Sequence, residues 1–181
     1  MNTTQTITLG GGCFWCTEAG YVRVKGVCDV EAGYANGWTP QPSYEQVCTG
    51  ETGHAEVVKL VFDPQEISLR EILEIFFLIH DPTTLNAQGH DHGTQYRSGI
   101  YCSTPEQEQL AKEMLAEMTR RGDFVRSIVT EVLPLTNYWP AEEEHQDFFQ
   151  RNPFQGYCLA AAAPKVAKFR KTFARLVRDE A

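Results

Sequence analysis

Two cysteines two residues apart, Cys13 and Cys16, sit in the run Gly10-Gly11-Gly12-Cys13-Phe14-Trp15-Cys16-Thr17-Glu18. A cysteine attacks electrophiles as its thiolate, and an unassisted thiol is mostly protonated at neutral pH. This run offers assistance. A short β-like stretch (Thr6 to Leu9) precedes it, and a helix-compatible stretch (Phe14 to Val24) follows. The pattern is therefore strand, glycine turn, helix start. Glycines expose backbone N–H groups, and a helix start carries partial positive charge. Both favour an anionic sulfur, as does a C-x-x-C setting. Cys13 is the candidate nucleophile, against the alternative of a small buried apolar residue.

A second chemical group comes from the segment His54 to Phe62, which alternates as a strand. Alternation sends Ala55, Val57, Lys59 and Val61 to one face and Glu56, Val58, Leu60 and Phe62 to the other. Glu56 thus shares a face with apolar neighbours. Desolvation would keep its carboxyl protonated, able to donate to an oxygen that gains negative charge. The hydroxyls of Tyr44 and Tyr96 could act likewise. Phe14 and Trp15 would form an apolar wall beside the thiol. The implied substrate has an electrophilic centre bearing a polar oxygen and an attached apolar group. The residues alone leave a sulfoxide and a carbonyl equally open.

The segment Asp81 to Ser98 is polar, bears glycine and has no usable period, yet it joins two regular elements. A loop of that length in a compact domain usually has a function. It holds His90, Asp91, His92, Tyr96 and Arg97.

The elements that must position these groups are mixed. Val27 to Tyr34 reads as a strand that ends in an Ala-Asn-Gly turn. Ser43 to Cys48 allows a short helix. Ser68-Leu69-Arg70-Glu71 is a capping box that opens a helix running to His80. Thr104-Pro105 opens another, with Leu110, Met114 and Met118 as its buried stripe. Ser127 to Leu133 predicts a strand. Pro140 to Gln150 predicts a short helix with an acidic, solvated start, and Pro164 to Arg178 a basic amphipathic helix docked on the body. Strands and helices interleave without the even rhythm of a barrel. The class is α+β, with a central sheet and helices against it.

Length and composition set the bounds. With 181 residues, 42% of them hydrophobic, the chain is expected to form one domain over 1–181 with a substantial core. A net charge of −8 argues against non-specific binding to nucleic acid or anionic membrane. No apolar run approaches a membrane span, and the N-terminal residues lack a signal-peptide pattern, so a cytoplasmic location is expected. Six cysteines in such a setting read as thiols or redox groups rather than a disulfide framework.

Several motifs together resemble the A-type peptide-methionine sulfoxide reductases. They are Gly12-Cys13-Phe14-Trp15 followed by Glu18, Tyr44 to Cys48, Thr52 to Glu56, Asp91 to Ser98, His145-Gln146-Asp147, Asn152-Pro153 and Tyr157-Cys158. The resemblance runs from Leu9 to Lys171. It implies a two-layer α/β sandwich of ferredoxin-like kind around a mixed sheet, with long ordered loops and an ordered C-terminal segment. It implies reduction of the S epimer of methionine sulfoxide, free or in proteins. Cys13 would attack the sulfur, and Glu56, Tyr44 and Tyr96 would hold and protonate the oxygen. Phe14 and Trp15 would meet the methyl, and Asp91 and His92 would contact the substrate backbone. The sulfenic acid left on Cys13 would be resolved as a disulfide and recycled by thioredoxin, with no metal or organic cofactor. A monomer is expected.

The chain departs from the common pattern at Cys16, where many members have glycine, and at His90 and Asn36. Cys158 matches the resolving position of many relatives. Cys16 lies on the same helix face as Cys13, three residues on, within disulfide reach. It is favoured as first resolver, with Cys158 as rival or relay. Cys28, Cys48 and Cys102 read as structural. Two other classes use the same cysteines. A thioredoxin-like disulfide oxidoreductase would leave Glu56 and the Asp91–Ser98 loop without a task. A zinc module using Cys13, Cys16 and two histidines lacks a second closely spaced ligand pair.

Overall fold

The computed structural model describes residues 3–179. The chain runs β1 (Gln5–Gly10), α1 (Phe14–Tyr21), β2 (Val27–Ala35), α2 (Tyr44–Cys48), β3 (Ala55–Phe62) and α3 (Leu69–Ile79). A small hairpin follows, β4 (Ala87–Gln88) and β5 (Asp91–His92), then a single 3-10 turn at Thr94–Tyr96. The remainder is β6 (Gly99–Cys102), α4 (Pro105–Arg121), β7 (Glu131–Pro134), β8 (Tyr138–Pro140), α5 (Phe148–Arg151) and α6 (Ala163–Thr172).

Six strands form one mixed sheet in the order β7-β6-β1-β3-β2-β8. Pairing is antiparallel except between β6 and β7. One face, with Ile7, Leu9, Val58, Leu60 and Phe62, packs against α1, α3, α4 and α6 through Phe14, Tyr21, Phe76, Met114 and Phe169. Each fully buried Leu or Phe there contributes about 2 kcal/mol. Ala55, Val57 and Tyr101 lie on the other face, beneath Leu135 and Tyr138. This is the expected α+β two-layer arrangement, and the face assignment along β3 holds residue by residue.

Local signals explain the helices. Ser68 accepts from the Glu71 backbone N–H while the Glu71 carboxylate accepts from the Ser68 N–H, the reciprocal cap that starts α3. Ser43 and Gln46 repeat this at α2. Thr104 caps α4, and Gly122 ends it in the left-handed region at φ 69°.

Three segments differ from expectation. Only residues from Glu131 onward form the strand placed at Ser127 to Leu133. Residues 140–150 are not one helix. Pro140 ends the edge strand β8, a 3-10 turn spans Glu143–His145, and α5 starts only at Phe148. The acidic start is not simply solvated, because the Glu142 carboxylate accepts from the Tyr34 hydroxyl at 2.9 Å and from the Tyr44 N–H at 3.0 Å. The last helix stops at Thr172, and a 3-10 turn at Ala174–Leu176 carries Leu176 into the core. Among the described residues, no helix is long and apolar enough to cross a membrane.

Candidate active site

The strand-turn-helix context of Cys13 is as expected: β1 ends at Gly10 and α1 begins at Phe14, with Cys13 as its N-cap. The turn needs glycine at position 12. Its φ is +94°, and a Cβ there would lie 2.6 Å from the Gln88 side chain. Gln88 is in turn fixed to the backbone of Asp81 through both ends of its amide. The polar loop therefore closes directly over the glycine turn.

Glu56, on the neighbouring strand β3, reaches this turn. The Phe14 N–H donates to its Oε1 at 3.2 Å. Its Oε2 is buried and has no hydrogen-bond partner among the described residues. Burial pushes the carboxyl up to about 8, against the pull of the Phe14 N–H. At neutral pH the acid is therefore protonated, with one oxygen free to donate.

The two thiols differ. Cys13 is only 7% exposed. Its thiol is held above the usual cysteine range by burial, by its hydrogen bond to Cys16 and by the nearby Glu56. The helix-start N–H of Trp15 pulls it down by less. At Cys13 burial opposes the pull of the eight-residue helix start that the sequence suggested. Cys16 is the one lowered, to about 7, chiefly by the hydrogen bond from Cys13 and further by Lys165 and Tyr157. The two sulfurs act as a hydrogen-bonded pair that gives up its first proton near neutrality.

Tyrosines gather round this pair. The Tyr157 hydroxyl donates to Asp91 Oδ2 at 2.5 Å and receives the Cys16 thiol at 3.8 Å. Burial raises the phenols of Tyr44 and Tyr96 well above their ordinary value, with Glu56 as the largest nearby charge for each. Both stay protonated donors beside Glu56. Tyr96 is held by Arg97, whose guanidinium donates to Glu131, to the Thr94 carbonyl and to the Gly53 carbonyl just before β3. One side chain thus links the turn carrying Tyr96 to the strand carrying Glu56.

An aromatic wall completes the site. Trp15 stacks on Phe148 with ring centres 3.7 Å apart and donates its indole N–H to His145 at 3.2 Å. His145 also lies 4.4 Å from the Tyr44 ring and 5.5 Å from the Phe14 ring. Phe14 itself is fully buried.

Of the residues anticipated, Cys13, Cys16, Glu56, Tyr44, Tyr96, Phe14, Trp15 and Asp91 converge. His92 is exposed and makes no hydrogen bond to the cluster among the described residues. Cys158 is fully buried, in a turn of π-helix, close enough to feel the charge of Cys16. The roles of Tyr34, Glu142, His145, Phe148 and Tyr157 were not anticipated. His145 and Tyr157 lie in segments that resemble the family, so that signal marked the right places without giving functions. Among the described residues, one cluster has metal-ligand geometry, Glu142, Glu144 and His145, and in it His145 Nδ1 is occupied by Trp15 and Glu142 by Tyr34 and Tyr44. Neither Cys13 nor Cys16 belongs to it.

A dithiol at a glycine turn, backed by a neutral buried acid and phenolic donors, defines a thiol-based reductase that removes an oxygen from its substrate. The family model for peptide methionine sulfoxide reductase matches residues 5–177, and the chain belongs to that family. It is 53% identical over 180 residues to the peptide methionine sulfoxide reductase MsrA of Polynucleobacter asymbioticus, covering 99% of this chain and 95% of that protein. The reduced form of Mxr1 from Saccharomyces cerevisiae superposes with a TM-score of 0.79 at 38% identity, covering 86% of this chain and 89% of the other. Mxr1 in complex with Trx2 aligns with a TM-score of 0.56 at 28% identity over 80% of this chain and 84% of that one.

Proposed function

We propose that the chain acts as a single catalytic domain that reduces the S epimer of methionine sulfoxide, free or in proteins, with Cys13 as the nucleophile. The observation that carries this reading is the unpartnered Oε2 of Glu56, buried beside Cys13 at the foot of an aromatic wall. A sulfoxide has the matching polarity, with an oxygen that accepts hydrogen bonds on a sulfur that carries a methyl group.

Each step uses groups the chain holds. The sulfoxide oxygen accepts from Glu56, Tyr44 and Tyr96, which makes the substrate sulfur more electrophilic. The methyl lies against Phe14 and Trp15. Asp91, fixed by Tyr157, shapes the entrance, and His92 on the exposed rim is the candidate contact to a substrate backbone. Cys13 sulfur attacks as its proton leaves through the Cys16 hydrogen bond. The substrate S–O bond breaks, and the net result is methionine and a sulfenic acid on Cys13. The Cys16 thiol then displaces water from that sulfenic acid to give a Cys13–Cys16 disulfide. Cys158, buried within range of the Cys16 charge, can receive the disulfide in a second exchange by attacking Cys16 sulfur, which frees Cys13.

The disulfide returns to two thiols when a thioredoxin dithiol is oxidised in its place. The solved complex of Mxr1 with Trx2 supports a partner of this kind. The balance closes on thiols alone, so the reading calls for no resident cofactor. It places the enzyme as a monomer in the cytoplasm, where thiols are kept reduced. A thioredoxin-like oxidoreductase is disfavoured, because Glu56, Tyr44 and Tyr96 would have no oxygen to serve.

The deciding experiment measures thioredoxin-dependent conversion of both sulfoxide epimers by the wild type and by Cys13→Ser. Turnover of the S epimer only, abolished in the variant, is the expected result. Retained activity in Cys13→Ser overturns the assignment.

A further inference from the structure

Glu18 lies on α1 one turn beyond Trp15, so the two share a helix face. It is 2% exposed, and the reaction above gives it no task. Burial raises its carboxyl to about 7, against the pull of the backbone N–H groups of Asp147 and Phe148, which it faces. Asp147 needs such support. Its φ is +53°, in the left-handed region that a non-glycine residue adopts at a cost, and its own side chain makes no cap.

The turn at Asp147 decides where its neighbours go. Immediately after it, Phe148 lies flat on Trp15, with an interplanar angle of 5°. Two residues before it, His145 accepts from the Trp15 indole. On the far side Phe149 packs against Cys16 and Ala19, under the guanidinium of Arg23 at 5.2 Å. Gln146 ties the same strap to β2 through the N–H and carbonyl of Ala32. That anchor sets the height of the strap over the sheet, while Glu18 ties its Asp147–Phe148 end to α1.

We propose that Glu18 is a positioning residue: its carboxylate holds the Asp147 turn and thereby sets Phe148 and His145 against Trp15, fixing the wall that meets the substrate methyl. The inference rests on the reading of Trp15 as part of that wall. Glutamine keeps one carbonyl oxygen but puts an NH2 group in place of the other, a donor turned towards backbone donors.

The test makes Trp15 the sole tryptophan. The chain has three, and Trp38→Phe with Trp139→Phe removes the others, neither of which is in the site. In this background acrylamide quenching of Trp15, KM for the S sulfoxide and the thermal midpoint are measured for Glu18→Gln, Phe148→Ala and the double variant. Loss of this acceptor should raise KM roughly tenfold. Quenching should rise to the Phe148→Ala level, with no further rise in the double variant, because both changes undo the same contact. Wild-type quenching in Glu18→Gln, or additive effects, overturns the inference. Raised quenching with unchanged KM upholds the positioning of Trp15 and instead refutes its contact with the methyl. If Glu18→Gln does not fold, Glu18→Asp carries the same measurement, since the shorter carboxylate cannot reach both amides.

Discussion

The hydroxyl of Tyr157 bridges Asp91 and Cys16, donating to the carboxylate at 2.5 Å and receiving the thiol at 3.8 Å. It joins the C-terminal segment, the polar loop and the dithiol in one hydrogen-bonded chain. Tyr157 is one of the groups that lower the Cys16 thiol.

Once Cys16 ionises, the hydroxyl turns its proton to the thiolate, so removing it should make Cys16 harder to ionise. In Tyr157→Phe the pH profile of alkylation by iodoacetamide should move upward from its midpoint near 7. Mass spectrometry of the alkylated peptide identifies the sulfur. An unmoved profile would show that the bridge does not reach Cys16.

Glu56 works only while protonated, and its carboxyl is raised to about 8. Sulfoxide reduction in single turnover should fall as pH rises through that value. Glu56→Gln should retain partial activity, since an amide can still donate, and should lose this alkaline limb. A wild-type profile in the variant would show that the carboxyl is dispensable.

The same shift has a consequence for stability, opposite in sign to that of an ion-paired acid. The folded state keeps the Glu56 proton up to about 8, while the unfolded chain releases it near the model value of 4.5. Between those values folding binds a proton, so this contribution to stability is full at low pH and declines as pH rises. Thermal midpoints of wild type and Glu56→Gln, compared at pH 5 and pH 8, should diverge in favour of the variant at the higher pH.

Disulfide mapping after one turnover without reductant should find Cys13 joined to Cys16 first. In Cys16→Ser the sulfenic acid should persist, trapped by dimedone, until the Cys158 segment rearranges to reach it. Immediate formation of a Cys13–Cys158 bond in the wild type would reverse the order.

Much of this site was legible in the sequence because its elements carry short-range signals. The period of two along β3 placed Glu56 on the buried face, and the glycine run announced the turn that presents Cys13. Long-range partners were not legible. His145 lies 130 residues from the indole it accepts from, and Tyr157 lies 141 residues from Cys16. No local pattern encodes such pairs. The edge strand Tyr138–Pro140 is three residues long and ends in proline, too short for alternation to show. The glycine turn marked where Cys13 sits but not how deeply it is buried, because that burial depends on packing that composition does not reveal.

The triple donation from Arg97 ties Tyr96 to the sheet independently of the path the chain takes to reach it. Lysine could not replace it, since a single ammonium lacks the planar fork that spans Glu131, Thr94 and Gly53. The hairpin tip at Gly89, where an added Cβ meets nothing within 4 Å, is thereby mechanically insulated from the catalytic phenol. Residues inserted at that tip should alter which polypeptides gain entry while leaving turnover of the free amino acid intact.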